Sequence, residues 1–109
     1  MTTVTVVGCG NMGSAIVKGL ARAGNHEVSA ADPDTDALEM VEPYAAVTAT
    51  DAAEVTDTEI VFVAVKPHLV GDVVDSLELD ADQTLVTIAA GVPVEFVAER
   101  TDATVVRIM

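Results

Sequence analysis

Basic residues are scarce: five lysines and arginines stand against 18 aspartates and glutamates in 109 residues, a formal net charge of −13. Nucleic acid is excluded as a partner, since phosphate backbones are bound by basic surfaces. Anionic membrane surfaces are disfavoured for the same reason. The single cysteine excludes an internal disulfide and offers no cluster of metal ligands. Tryptophan is absent and aromatics make up 3 %, so a core must come from the valines, alanines, leucines and isoleucines among the 50 % of apolar residues. No uncharged apolar run approaches the roughly 18 residues that span a bilayer, and Glu59 and Lys66 bracket the greasiest stretch, Ile60 to Val65. The N-terminus has no basic n-region of a signal peptide, so a soluble, cytoplasmic protein is expected. The acidity itself reads as solubility in a high-salt interior, the alternative being an acidic patch for one basic partner.

What is present alternates with a short period. Thr2 to Val7 is a β-branched run ending at Gly8, a buried-strand signal. A helix is expected over Asn11 to Ala23, with Met12, Ala15, Ile16, Gly19, Leu20 and Ala23 as its apolar positions, stopped by Gly24 and Asn25. His26 to Ala31 reads as a second strand. Pro33 to Glu42 reads as a short acidic helix, with Asp32 as N-cap and Pro33 at its first position. Ala46 to Ala49 is a third strand, followed by an acidic turn from Asp51 to Asp57. Glu59 to Val65 is the strongest strand, apolar enough for burial on both faces. A helix from Pro67 to about Leu77, a strand over Thr84 to Ala89, a helix over Pro93 to Glu99 and a strand over Thr104 to Ile108 complete the series. Strands alternating with helices predict an α/β fold: a Rossmann-type, doubly wound parallel sheet of about six strands. The chain stops directly after a strand, so residues 1–109 are read as one domain at the front of a longer protein.

The first strand leads into Gly8-Cys9-Gly10-Asn11-Met12-Gly13, a G-x-G-x-x-G between strand and helix. An acidic residue, Asp32, closes the second strand 19 positions beyond Gly13. Gly8 permits a tight turn, Gly10 permits close approach of a pyrophosphate, and Gly13 permits close helix–strand packing. Free N–H groups and the helix dipole would then hold the anion; the alternative is a purely structural turn. Asp32 is placed to accept the adenosine ribose hydroxyls, or to cap the next helix, or both. No arginine or lysine lies between Arg22 and Lys66, and Asp34 and Asp36 sit beside Asp32, so charge favours NADH over NADPH. Two further strand ends, Ala64-Val65-Lys66-Pro67-His68 and Ala89-Ala90-Gly91, would outline one crevice with the glycine turn.

These motifs together resemble pyrroline-5-carboxylate reductase. The resemblance covers VVGCGNMGSAIVKGL at Val6–Leu20, VFVAVKPH at Val61–His68, TIAAGV at Thr87–Val92 and VVRIM at Val105–Met109. It implies NAD(P)H-dependent reduction of 1-pyrroline-5-carboxylate to L-proline, with a small-molecule imine substrate and a homo-oligomer for the full-length protein. The cofactor contacts it implies fall on Val7, Gly8, Cys9, Gly10, Asn11, Met12 and Gly13, on Ala64, Val65, Lys66 and Pro67, and on Ile88, Ala89 and Ala90. Asp32 stands where family members commonly carry Ser or Asn, and Asp51 where many carry Asn; both departures weaken transfer of an NADPH preference. Related β-hydroxyacid dehydrogenases and F420-dependent NADP reductases share parts of the pattern, and a nucleotide-binding module without catalysis is a further alternative.

Cys9 is expected to be a small filler between glycines, His26 to be solvated, and His68 to be exposed in a first helical turn. No nucleophile–base pair, carboxylate dyad or metal site is visible, so no catalytic residue is assigned to this chain. That suits hydride transfer, in which the cofactor carries the chemistry.

Overall fold

The structure, a computed structural model, describes residues 1–108; Met109, the end of the VVRIM run, lies outside them. Six strands form one sheet: β1 (Thr2–Val7), β2 (His26–Ala31), β3 (Val47–Ala49), β4 (Ile60–Val63), β5 (Thr84–Thr87) and β6 (Thr104–Arg107). Four helices connect them: α1 (Asn11–Ala23), α2 (Thr35–Val41), α3 (Val70–Asp75) and α4 (Val94–Ala98). The strand order is β3-β2-β1-β4-β5-β6 and every neighbouring pair is parallel. The chain therefore builds outward from β1 to β3, returns to lay β4 beside β1, and builds outward the other way. The gap between β1 and β4 is the switch point, where ligands of open α/β sheets bind.

Side chains alternate across each strand, which divides the core into two layers. Val6, Val28 and Ala30 face Val17 of α1 and Leu38 and Val41 of α2. Val7, Val61, Val63 and Leu85 face Val70 and Val74 of α3 and Val97 of α4. Val6, Val61, Val63, Leu85 and Val97 are completely shielded, and burying each such side chain contributes about 1.5–3 kcal/mol relative to leaving it in water. With so few rings, β-branched side chains on the pleated strands fill both layers, as the composition requires. Among the described residues, no helix is long and apolar enough to cross a membrane.

Several expected boundaries move. The bounds of β1, α1 and β2 coincide with expectation, but the buried face of α1 is turned: Gly13 and Val17 are buried, Ile16 and Leu20 half-buried, and Met12, Ala15, Gly19 and Ala23 exposed. Alanine and glycine are small enough to sit on either side of a helix, so they misplaced the face. α2 starts at Thr35 with Asp34, not Asp32, as its N-cap; the Asp34 carboxylate accepts from the Asp36 N–H at 3.0 Å. β4 is shorter than the apolar run, because Ala64 donates its N–H to Val7 O as the last rung and the chain then bends towards Pro67. Both faces of β4 are covered, unevenly: Val61 and Val63 are buried, while Ile60 and Phe62 are half-buried. Pro67 opens a single 3-10 turn, Pro67–Leu69, before α3 begins. α3 ends at Asp75, where the Ser76 hydroxyl bonds back to Val73 O at 2.6 Å. The segment after β3 is a 3-10 turn over Ala52–Glu54, capped by Asp51 through the Ala53 N–H at 3.1 Å.

Candidate functional site

The register brings the carboxyl ends of all six strands onto one line. Ala49 pairs with Ala31, Ala31 with Val7, Val7 with Val63, Val63 with Thr87, and Thr87 with Arg107. The loops that follow, beginning at Thr50, Asp32, Gly8, Ala64, Ile88 and Ile108, therefore emerge along a single edge.

The turn after β1 is built from two glycines with different duties. Gly8 has φ +97°, and a Cβ there would stand 2.7 Å from Ala64 O, so this turn requires glycine on two counts. A Cβ on Gly13 would overlap the Gly8 carbonyl oxygen, so the first turn of α1 closes onto the strand end only because position 13 has no side chain. Gly10 differs. Its backbone is extended (φ −71°, ψ −158°), and a Cβ there would meet nothing within 4 Å. It caps α1 with no side-chain hydrogen bond, and the first turn holds no acidic residue. The leading N–H groups of this 13-residue helix thus have no side-chain cap, which favours an anion.

Asp32 ties this turn to the end of β2. One carboxylate oxygen accepts from the Cys9 N–H at 2.7 Å and the other from the Asp34 N–H at 2.8 Å. A carboxylate has about four acceptor positions, so half of the capacity remains for a ligand. Cys9 lies beneath, buried, with its thiol directed at Ala31 O at 3.7 Å. Burial, reinforced by the Asp32 charge, pushes that thiol up to about 11 despite the hydrogen bond to Ala31. It is protonated at neutral pH and fills space, as expected, because the thiolate is the reactive form.

A cleft of about 710 Å³ opens over this edge. Of the residues singled out from sequence, Val7, Gly8, Gly10, Asp32, Asp51, Ala64, Val65, Lys66 and His68 line it. Lys66 is held extended ahead of Pro67 (φ −60°, ψ 148°) and is exposed. Cys9, Asn11, Met12, Gly13 and Pro67 lie within the same two loops and helix starts but outside the lining. The end of β5 does not join the cleft. Ala89 packs into the core with Val7, Val63 and Leu85, and the chain turns at Gly91 (φ +76°), so Ile88, Ala89 and Ala90 flank the cleft instead of completing it. The expected crevice of three strand ends is instead formed by the ends of β1, β2, β3 and β4 with one side of α3.

That α3 wall escaped the sequence reading. Leu69, Asp72, Val73 and Ser76 contribute to it, with Ala52 from the turn after β3. The recurrence Leu69, Asp72, Val73, Ser76 is a helical face, and it would have been a signal. His68 is exposed as expected, whereas His26 is only half-exposed, with Nδ1 shielded and without a partner. Among the described residues no group of three or more acidic, His or Cys side chains could hold a metal ion.

Comparison with known proteins agrees with this geometry. The family described as NADP oxidoreductase coenzyme F420-dependent matches residues 3–91. Pyrroline-5-carboxylate reductase of Mycobacterium leprae is 32 % identical over 114 residues, which cover 94 % of this chain and 38 % of that protein. The enzyme of the same name from Escherichia coli K12 is 34 % identical over 101 residues, covering 84 % of this chain and 37 % of that one. The solved 1-pyrroline-5-carboxylate reductase of Streptococcus pyogenes superposes with a TM-score of 0.84 at 28 % identity, over 99 % of this chain and 42 % of that one. The chain thus spans less than half the length of the relatives it matches. A six-stranded parallel Rossmann-type sheet, a glycine turn at its switch point and a match over residues 3–91 make this chain a member of the F420-dependent NADP oxidoreductase family, similar to the pyrroline-5-carboxylate reductases.

Proposed function

We propose that residues 1–109 are the dinucleotide-binding domain of an NAD(P)H-dependent reductase that converts 1-pyrroline-5-carboxylate to L-proline. The observation that carries the reading is the uncapped start of α1 facing open space at Gly10, at the β1/β4 switch point, across from the Asp32 carboxylate. The named relatives supply the substrate. The residues present fit a nicotinamide dinucleotide. The free N–H groups of Asn11 to Gly13 would take the pyrophosphate, the remaining lone pairs of Asp32 the adenosine ribose hydroxyls, and Ala64 to Pro67 the nicotinamide half. Ile88 to Ala90, at the flank, would bound that half from the β5 side. Asp51, on the cleft wall, would lie towards the adenosine end.

When bound, the reduced cofactor supplies the hydride. The chain's part is to hold and orient it at the strand ends. A protonated imine carbon is already electrophilic, so hydride addition there yields the secondary amine with no acid from this chain. Substrate contacts and subunit contacts of a homo-oligomer would belong to parts of a longer protein, and an intracellular cofactor pool would place the reaction in the cytoplasm. The family description favours a second reading, reduction of NADP with coenzyme F420 as the hydride partner; a substrate panel on a protein containing this domain separates the two.

The test measures 1-pyrroline-5-carboxylate reduction and cofactor dissociation constants for a protein carrying this domain, at matched salt. Proline formation with NADH preferred roughly tenfold over NADPH, a difference of about 1.4 kcal/mol, is expected. A 2′-phosphate beside Asp32 would meet like charge, with Asp34 and Asp36 near and no arginine to offset them. Asp32→Ser should lower NADH affinity and narrow or invert the gap. Tighter NADPH binding by the parent would show that Asp32 serves only the Cys9 and Asp34 N–H groups, and absence of proline formation would overturn the substrate assignment.

A further inference from the structure

We infer that dinucleotide binding to this chain tightens as ionic strength rises, the reverse of an ordinary anion site, because the carboxylates around the cleft repel the phosphates that the glycine turn attracts; the inference rests on the dinucleotide reading. Sites that hold phosphates with lysine and arginine lose affinity in salt, since screening weakens the charge pairs that make them. Here the two opposing effects have different ranges. The attraction is made at contact, by neutral backbone N–H groups at the start of α1, and hydrogen-bonded contacts are little screened.

The repulsion is long-ranged. Asp32, Asp51 and Asp72 line the cleft, and Asp34 and Asp36 are exposed beside it. Lys66 is the one lysine or arginine among the lining residues. The other cations stand elsewhere: Arg100 is paired with Asp75 at 2.7 Å, Lys18 lies over the Tyr44 ring, Arg22 is in the last turn of α1 and Arg107 is on β6. Behind these local groups stands a net charge of −13, in a molecule whose extents are 34 × 27 × 25 Å. The screening length is about 30 Å at 0.01 M salt, about 10 Å at 0.1 M and about 3 Å at 1 M. In dilute salt a phosphate in the cleft therefore feels nearly every carboxylate of the molecule, and in concentrated salt only its contacts.

The sign follows, and so does a ladder. The salt response should grow with ligand charge, steepest for NADPH, less for NADH, less again for NAD+, and flat for uncharged adenosine. The experiment titrates these four ligands into the full chain at KCl concentrations from about 0.05 M to about 2 M, spanning screening lengths from above about 10 Å to below about 3 Å. Circular dichroism at each salt gives the folded fraction, and dissociation constants are referred to folded chain. NADH affinity should rise at least about tenfold across the range. Asp36→Asn, beside the cleft and outside its lining, should tighten NADH at the low end, leave the high end unchanged, and so flatten the response. NADH affinity that falls or stays level with salt overturns the inference while leaving the dinucleotide reading intact. Adenosine tracking NADH overturns it too, since that would mean salting-out of the adenine. No NADH binding at any salt overturns the dinucleotide reading, and the inference with it.

Discussion

Gly10→Val is expected to weaken NADH binding by about a hundredfold, close to 2.7 kcal/mol, with no loss of stability. The free protein has room for the change. A side chain at position 10 would meet nothing within 4 Å, and the extended backbone there is one that any residue adopts. The space it would enter is the space in front of the first N–H groups of α1, where the pyrophosphate would lie. Calorimetry on parent and variant at matched salt checks the affinity, and thermal melts check the fold. Unchanged affinity in a folded variant would remove the glycine turn as the phosphate site.

Gly13→Ala should do the opposite and strike the fold. One methyl group at that position collides with the Gly8 carbonyl oxygen, which is backbone and has no flexible end to move aside. Gly8 cannot shift to relieve it, since its own position is confined by Ala64 O and Val65 on the neighbouring loop. Overpacking of this kind costs about 3 kcal/mol, the upper end for an inserted carbon. In a domain of this size that lowers the melting temperature by roughly 10 °C or more. A melt within a few degrees of the parent would show that α1 can slide away from β1, and that the close contact is no requirement of the turn. The two variants thus separate the glycine that the fold needs from the glycine that a ligand needs.

Much of this was legible in the sequence, for identifiable reasons. Thr2 to Val7 and His26 to Ala31 are bounded by Gly8 and by Gly24-Asn25, residues that stop a strand or helix through their own backbone preferences, and there the boundaries agree. Alternating elements were enough to imply a parallel sheet and the neighbourhood of β1 and β4. Less legible was anything set by tertiary partners. The length of β4 depends on a last rung to Val7 that no local pattern announces. The orientation of α1 was obscured by alanines and glycines, which fit inside or outside equally well. Asp32 looked like a helix cap because Pro33 follows it, yet its carboxylate is drawn to the Cys9 N–H, 23 positions away in the chain, and Asp34 takes the cap. The α3 wall of the cleft was overlooked because Asp72 and Ser76 gain meaning only when α3 is set against the turn at Ala52.

The proposed dinucleotide site is the carboxyl edge of the sheet, at the β1/β4 switch point. Titration of NADH into the 15N-labelled chain, followed by amide chemical shifts, tests it most directly. The largest changes are expected at Gly8, Gly10 to Gly13, Asp32 and Ala64 to Lys66, with the opposite ends of the strands, at Thr2, His26, Ile60, Thr84 and Thr104, left unmoved. Shifts concentrated at that opposite edge, or none under conditions where the chain is folded, would contradict it.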